Sequence, residues 1–235
     1  LKADTPAGTG LGSSGACADA VHRGIAEFLR KSMTNREAAG QSFILTRRLG
    51  LPDGVGDPYV CAEGGFVALD IAPDGMVTVR RPRFSRETIE RFFRNSLFFY
   101  TGVVRRSEPI LKKQEGEKIF ELKHASKKMG YSIYEHFKKG RLNAFGEQLD
   151  EYWQLKKSMA AQMSSPLFDE IYDAARGAGA LGGKLIGAGG GGYFMFYCPT
   201  DGARARVRRA LTPFSMREMR LSLDTKGART KVLCL

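Results

Sequence analysis

A glycine-rich stretch near the start of the chain contains the residues whose types and spacing best suit chemistry. It reads Pro6-Ala7-Gly8-Thr9-Gly10-Leu11-Gly12-Ser13-Ser14-Gly15-Ala16. Glycine lets backbone N–H groups approach a ligand closely, and the N-terminus of a following helix attracts negative charge. The sequence therefore predicts that residues 6–16, the first glycine loop, bind phosphate groups.

Other glycine-containing nucleotide motifs fit this stretch less well. Gly10, Gly12 and Gly15 match GxGxxG, but a Rossmann site needs an acidic residue ending a second strand about 20 residues later. The candidate, Glu27, falls inside a predicted helix, which argues against NAD. The chain also lacks the GxxxxGK[ST] pattern of a P-loop and the HRD and DFG signatures of protein kinases.

Two predicted helices and a hairpin must position the first glycine loop. Helical periodicity covers 16–29, directly after the loop. Thr34 and Glu37 have capping-box spacing and begin a second helix, which we expect to end near Arg48. Residues 65–80 alternate around a Pro-Asp-Gly turn and predict a β-hairpin.

The rest of the chain predicts a mixture of helices and strands. A short helix is expected over 85–94, a buried aromatic strand over 97–101 and mostly helix over 108–176, with Trp153 in the core. After Gly177 the pattern indicates a strand, a glycine loop, a strand, a helix and a final pair of strands ending near residue 233. Strands and helices are thus not strictly alternating along the chain.

Composition indicates a globular, cytoplasmic protein. Hydrophobic residues make up 43% and charged residues 26% of the 235, and no apolar run approaches the about 20 residues that a membrane span requires. The four cysteines form no CxxC pair, so we expect reduced thiols instead of a metal site or a disulfide framework. The first residues have neither an initiator Met nor the order of a signal peptide, so we expect the chain to begin within a longer protein.

The charge balance is strongly basic. Lys and Arg number 37 against 25 Asp and Glu, which gives a net charge of +12 and would attract nucleic acid without regard to sequence. The basic residues lie on predicted helices, however, and no motif pairs them with aromatic residues for base stacking. We therefore expect solvated helix faces and a positive cleft for phosphorylated small molecules, with no specific nucleic-acid partner and no membrane partner.

The first glycine loop resembles the ATP-phosphate loop of the GHMP kinases, a superfamily that includes galactokinase, homoserine kinase and mevalonate kinase. Residues 183–194, the second glycine loop, resemble the C-terminal glycine loop of the same superfamily. Both loops are flanked by apolar segments, which is not typical of flexible linkers.

The resemblance implies ATP and Mg²⁺ as cofactors. The residues that it implies for ATP binding are Pro6, Gly8, Gly10, Leu11, Gly12, Ser13, Ser14 and Gly15. It implies Ser14 as a Mg²⁺ ligand, and Gly189, Gly190 and Gly191 of the second loop as part of the substrate site.

The segment Gly56-Asp57-Pro58-Tyr59, followed by Gly64-Gly65-Phe66, resembles the aspartate segment of the sugar-kinase branch. The resemblance implies that Asp57 is the catalytic base. Phosphoryl transfer depends on positioning and charge stabilisation, with a carboxylate that accepts the proton of the attacking hydroxyl. The alternative is that Asp57 only caps a turn.

Further stretches resemble the D-glycero-D-manno-heptose 7-phosphate kinases. They are Phe99-Tyr100-Thr101-Gly102 with Arg105, Trp153-Gln154-Leu155-Lys156, and Gly179-Ala180 before Gly182-Gly183-Lys184. This resemblance implies transfer of the γ-phosphate of ATP to the anomeric hydroxyl of the heptose phosphate. It also implies that Arg105 and Lys184 bind substrate, with Arg106 and Lys156 as further candidates to hold phosphate groups.

Two departures from the family pattern bear on activity. Relatives usually have Gln before the catalytic aspartate and a polar residue after it, whereas this chain has Gly56 and Pro58. Many members also supply a glutamate from the preceding helix to Mg²⁺, but residues 44–51 contain no acid. A kinase for another sugar, such as fucose or galactose, and a catalytically impaired nucleotide- or sugar-binding relative therefore stay open as alternatives.

The resemblance implies an α+β, two-domain GHMP-kinase-like fold. Residues 1–84 would form an incomplete N-terminal domain like ribosomal protein S5, with the phosphate loop and Asp57. Residues 85–235 would form a ferredoxin-like α+β C-terminal domain, and the active site would lie between the two. His22, His124 and His136 lie on predicted helices without partner motifs and are expected to be structural; the sequence does not indicate an oligomeric state.

Overall fold

The chain forms two compact units in a computed structural model. The described residues are 6–51, 54–104, 117–160 and 163–232. The first unit contains Gly12–Arg83 together with the segment that begins at Leu223, and the second contains Phe84–Ser222 together with Gly8–Leu11. The first glycine loop is therefore divided between the units, since Gly8–Leu11 belong to the second unit and the rest of residues 6–16 belong to the first.

Three helices and a hairpin make up the first unit. The helices are α1 (Ser13–Phe28), α2 (Asn35–Arg48) and α3 (Gly56–Glu63), and each packs against the other two. Strands β1 (Ala68–Ile71) and β2 (Val77–Arg80) pair in antiparallel fashion. The two predicted helices, α1 and α2, and the predicted hairpin are confirmed, whereas α3 was not predicted.

The capping box predicted before α2 is also confirmed. The Thr34 hydroxyl accepts the Glu37 backbone N–H at 3.2 Å, and the Glu37 carboxylate accepts the Thr34 backbone N–H at 2.7 Å. This reciprocal pair satisfies two donors at the helix start. It fixes where α2 begins and therefore which of its residues face α1 and α3.

The second unit consists of five helices and a four-stranded sheet within the described residues. The helices are α4 (Arg86–Asn95), α5 (Glu117–Lys138), α6 (Leu142–Met159), α7 (Pro166–Gly177) and α8 (Asp201–Leu211). The strands are β3 (Ser96–Tyr100), β4 (Gly182–Leu185), β5 (Tyr193–Tyr197) and β6 (Arg217–Met219). Neighbours in the order β4-β5-β3-β6 are antiparallel, and the predicted α+β class is confirmed.

The core of the second unit lies on one face of this sheet. Leu97 of β3 pairs with Phe196 of β5, and Phe99 pairs with Phe194, so four apolar side chains share a face. Helices α6, α7 and α8 cover it with Trp153, Ile171 and Val207, among others. Trp153 is 0% exposed, which confirms its predicted place in the core. The same packing fixes the ends of β4 and β5, between which the second glycine loop lies.

One sequence prediction about the end of the chain is wrong. The described residues after α8 contain β6 but no second strand to pair with it, up to residue 232. The segment from Leu223 instead bonds to the end of α3 and the residues after it: Gly65 N–H donates to Asp224 O at 2.6 Å, and Ala228 N–H donates to Ala62 O at 2.9 Å. Because these bonds satisfy its backbone in the first unit, no second strand forms.

The described part of the chain contains no candidate membrane-spanning helix. No helix there is both long enough and apolar enough to cross a bilayer.

Candidate functional site

The N-terminus of α1 is built to receive an anion. Gly12 is the N-cap residue, with φ of 71°, and no side chain caps the first turn. The first N–H groups of a helix have no acceptor within the helix, and its dipole is positive at this end. No acidic residue lies in the first turn of α1, whereas Ser13 and Ser14 place two hydroxyl groups there. These features suit the phosphate groups of a nucleotide.

Asp57 lies next to this helix start, within the first unit. It is the second residue of α3, and a Cβ atom placed on Gly12 would lie 3.6 Å from the Asp57 Cβ. A Cβ atom placed on Gly15 would lie 2.8 Å from the Pro58 backbone nitrogen. Glycine at these two positions therefore lets the starts of α1 and α3 come together. Asp57 and Ser14 are both exposed, so a ligand can reach them.

Cys61 of α3 contacts the start of α1, and the sequence analysis did not identify it as a site residue. Its thiol donates to Gly12 O at 3.5 Å. Burial raises the pKa of the Cys61 thiol to about 11, and the nearby carboxylates of Asp19 and Asp57 contribute in the same direction. The thiol is therefore protonated at neutral pH and can act as a donor. The available signal was the spacing of four residues from Asp57, which puts both on one face of α3.

Asp19 of α1 is a second acid near Cys61, and it too escaped notice in the sequence. The residue is 1% exposed, and neither carboxylate oxygen makes a hydrogen bond of regular geometry with a described residue, although the Ser42 hydroxyl lies nearby. Burial raises its pKa, while the Ser42 hydroxyl and the charges of His22 and Arg23 oppose that shift. The sequence signal for a buried acid was that Asp19 lies on the same side of α1 as the apolar residues Ala18 and Ala26.

The first half of the loop packs against the second glycine loop, within the second unit. Thr9 is buried, and a Cβ atom placed on Gly192 would lie 2.6 Å from its carbonyl carbon. Gly8 and Gly10, on either side of Thr9, both have positive φ. The two predicted glycine-loop segments that this unit contains are thus brought together.

Backbone contacts hold the second glycine loop from three sides. Gly192 O accepts from the N–H and the hydroxyl of Thr101, both at 2.9 Å. Gly190 N–H donates to Met163 O at 3.0 Å. The Lys156 ammonium donates to Gly187 O, and Lys156 is only 8% exposed. Lys156 therefore positions the backbone of the second glycine loop. Most lysines are exposed at the surface, but this one is buried.

The remaining predicted residues lie in several places. Lys184, on β4, has its ammonium 4.8 Å from the centre of the Tyr152 ring. Gly189 and Gly191 lie in the second loop with positive φ, Leu11 is half-buried, and Pro6 is exposed. Arg105 and Arg106 lie outside the described residues. The assignments of site residues stay predictions.

The donor set fits ATP phosphates better than it fits a metal held by protein alone. Glycines with positive φ and an uncapped helix N-terminus supply backbone donors for phosphate oxygens. Within the described ranges, no three His, Cys, Asp or Glu side chains come together as a metal site. Mg²⁺ keeps several waters and binds substrate phosphates, so Ser14 and Asp57 beside the loop are compatible with it.

Two family models match the chain. Residues 1–65 match the model described as GHMP kinases N terminal domain, and residues 133–217 match the one described as GHMP kinases C terminal. Together they span more than half of the chain.

Individual relatives are similar at modest identity. The D-glycero-alpha-D-manno-heptose 7-phosphate kinase of Campylobacter jejuni is 27% identical over 83% of this chain and 59% of its own length. The L-fucokinase/L-fucose-1-P guanylyltransferase of Bacteroides fragilis is 26% identical over 97% of this chain and 25% of its own length. The chain thus spans less than two thirds of these two curated relatives.

A solved structure has the same fold over almost the whole chain. It is that of a D-glycero-D-manno-heptose 1-phosphate kinase from Bacteroides thetaiotaomicron, with a TM-score of 0.77 and 25% identity. The match covers 98% of this chain and 66% of that chain. The predicted fold, including its likeness to these kinases, is confirmed.

Proposed function

We propose that the chain works as an ATP-dependent sugar kinase, because it belongs to the GHMP kinase family. The reaction would transfer the γ-phosphate of ATP to the anomeric hydroxyl of a sugar phosphate. The contact of Asp57 with Gly12, at the uncapped N-terminus of α1, is the observation that supports this most. It places a carboxylate beside backbone donors suited to phosphate, as proton acceptance during phosphoryl transfer requires.

The roles of the chain's own residues follow from their positions. The N–H groups of the first glycine loop and of the first turn of α1 would bind the phosphates of ATP. Ser14 would be a ligand of Mg²⁺, which would supply positive charge to neutralise the phosphates. Asp57 would accept the proton of the attacking hydroxyl. Lys156 would keep the second glycine loop in the conformation that contacts Thr9.

The acceptor that we propose is D-glycero-D-manno-heptose 7-phosphate. The Campylobacter jejuni relative is a kinase of that sugar phosphate, and the Bacteroides thetaiotaomicron structure is also of a heptose phosphate kinase. The net charge of +12 suits a substrate that carries phosphate before the reaction as well as after it. Lys184 and Arg105 are the proposed ligands of the acceptor.

A second candidate acceptor is fucose, supported by the similarity to the L-fucokinase/L-fucose-1-P guanylyltransferase of Bacteroides fragilis. Fucose carries no phosphate, so the two candidates differ in whether the acceptor brings charge into the site. Comparing kcat/KM for the two acceptors decides between them.

The test measures phosphoryl transfer by the full-length protein with ATP and Mg²⁺. The acceptors are heptose 7-phosphate, fucose and galactose, each assayed for ADP release and for a new anomeric phosphate by ³¹P NMR. We expect heptose 7-phosphate to have the highest kcat/KM. Binding of ATP with no transfer to any acceptor would instead identify a catalytically impaired relative.

Substitution of Asp57 separates a catalytic base from a scaffold residue. Asp57→Asn keeps the size of the side chain and removes its basicity, so kcat should fall by about 10²-fold or more while ATP affinity changes little. Asp173→Asn is the matched control, since Asp173 is exposed on α7 and has no hydrogen-bond partner in the described structure. Equal kcat in the two variants would refute the role of Asp57.

A further inference from the structure

The second unit contains a pocket that is rich in arginine and is separate from the glycine loops. It has a volume of about 550 Å³, within the range of small-molecule sites. Its charged and polar wall consists of Arg94, Ser96, Arg204, Arg208, Glu218 and Arg220.

The strand register shows that this pocket belongs to the opposite end of the sheet from the second glycine loop. Ser96 begins β3 and pairs with Tyr197, whereas Tyr100 ends β3 and pairs with Tyr193, which is part of the second glycine loop. Ser96 and Tyr100 are four residue steps apart along the strand, or about 13 Å. A ligand in the pocket would therefore be distinct from one held by the second glycine loop.

The pocket carries excess positive charge. Arg208 forms a two-pronged ion pair with Glu218 at 2.8 and 2.9 Å, and Arg204 pairs with Asp201 at 2.6 Å. The side chains of Arg94 and Arg220 have no hydrogen bond or ion pair with any other described residue. Four guanidinium groups thus face two carboxylates, so two positive charges are in excess.

Two of the residues that line the pocket each have a buried polar atom without a hydrogen-bond partner in the described structure. They are the hydroxyl oxygen of Ser96, a residue that is 6% exposed, and the Nε of Arg204. Buried polar groups in proteins are normally hydrogen-bonded, so two orphans in one pocket wall are unusual. Both can donate a hydrogen bond, which suits an acceptor-rich ligand.

We infer that this pocket binds a phosphate monoester whose organic part is apolar or aromatic. The phosphate, with a charge between about −1.5 and −2, would match the excess of two positive charges, and guanidinium groups bind phosphate in a forked geometry. The organic part would lie on the apolar wall formed by Phe93, Phe98, Met219 and Leu221. The inference does not rest on the proposed kinase activity, since none of these residues belongs to the glycine-loop site.

Phenyl phosphate and inorganic phosphate, titrated into the full chain at constant ionic strength, test the inference. We expect phenyl phosphate to bind more tightly than inorganic phosphate in calorimetry, because only the ester uses the apolar wall. We also expect it to slow hydrogen exchange in peptides covering 93–98 and 217–221. Absence of protection in those peptides, or equal binding of the two probes, would overturn the inference.

Substitutions assign the binding to this pocket. The double variant Arg94→Ser with Arg220→Ser should weaken phenyl phosphate binding at least about tenfold and abolish the protection. Both arginines are exposed and unpaired among the described residues, so the variant should melt near the wild-type temperature. The control, Arg48→Ser with Arg209→Ser, removes the same charge from exposed positions outside the pocket. Equal weakening in both double variants would show a nonspecific charge effect and refute the site.

Discussion

Gly15 lies directly against the backbone of Pro58, since a Cβ atom at position 15 would come within 2.8 Å of the Pro58 nitrogen and 3.0 Å of the Asp57 carbonyl carbon. We therefore expect Gly15→Ala to force the starts of α1 and α3 apart. The free energy of unfolding should fall by about 1–3 kcal/mol, as overpacking usually causes, and ATP should bind more weakly. Urea unfolding and calorimetry measure the two effects.

Gly24, on the same helix, is the matched control for Gly15. It is exposed, and a Cβ atom placed on it would have no other atom within 4 Å among the described residues. Gly24→Ala should therefore stabilise the protein by about 0.5–1 kcal/mol through helix propensity alone. A gain of the same size from Gly15→Ala would contradict the close contact with Pro58.

Gly192, in the second unit, should tolerate a side chain even less than Gly15. Its φ of 89° and its contact with the Thr9 carbonyl both exclude a side chain. Gly192→Ala should cost about 1–2 kcal/mol for the left-handed backbone and a further 1–3 kcal/mol for the contact, and it should weaken ATP binding. Thermal unfolding and ATP titration check this expectation.

Gly75 is the control that measures only the cost of a left-handed backbone at a residue other than glycine. Its φ of 85° is almost the same, but no other described atom lies within 4 Å of a Cβ at that position. Gly75→Ala should therefore show the strain without the contact and leave ATP affinity unchanged. If the two variants lost the same stability, Gly192 would not be needed for the approach of Thr9.

The glycine loops were predictable from the sequence because their information is local. Glycine spacing and a following helix are sufficient to indicate a phosphate-binding loop, and the capping residues indicated where α2 starts. Asp57 could be singled out through its family resemblance, but its place in the first turn of α3 could not. That position depends on the glycines at 12 and 15, which set how closely α1 approaches α3.

Features that depend on tertiary packing were not predictable in the same way. The segment from Leu223 was predicted as part of a strand pair, but it bonds to Ala62 and Gly65, far earlier in the chain. The burial of Lys156 under the second glycine loop follows from the packing of α6 against β4 and has no local signature. Long-range contacts of this kind override local propensity.

Lys156 provides a test of how the second glycine loop is held. Lys156→Met keeps most of the buried aliphatic chain and removes the donor to Gly187 O. Because the half-buried Gly187 carbonyl would lose its charged donor, we expect a loss of about 1–3 kcal/mol in the free energy of unfolding, together with a higher KM for ATP. Urea unfolding and steady-state kinetics measure these two quantities.

Lys157, the next residue, is the control for Lys156. It forms a partly exposed ion pair with Asp169 at 3.0 Å, which is a type of contact that contributes about 1 kcal/mol or less. Lys157→Met should therefore change stability only slightly and leave the KM for ATP unchanged. A similar rise in KM in both variants would mean that the positive charge of α6 matters and the bond to Gly187 does not.

Asp19 predicts an unusual dependence of stability on pH. Because burial raises its pKa above the 3.8 of the unfolded chain, its ionised form is disfavoured in the folded protein. Above the raised pKa this cost is present in full, and it disappears as the pH falls through that value toward 3.8. Asp19→Asn should therefore be more stable than the wild type at pH 7, by about 1 kcal/mol or more, and the two should converge near pH 4. Urea unfolding at a series of pH values measures the difference.

Glu27→Gln provides the comparison for Asp19, since it makes the same chemical change at an exposed position of α1. At pH 7 its stability should lie close to that of the wild type, because substitutions at exposed positions usually change stability by about 0.5 kcal/mol or less. The Asp19→Asn curve should instead bend toward the wild-type curve as the pH decreases. Parallel curves for Asp19→Asn and the wild type would show that the carboxylate is not disfavoured by burial, and that Ser42, His22 and Arg23 compensate for it in full.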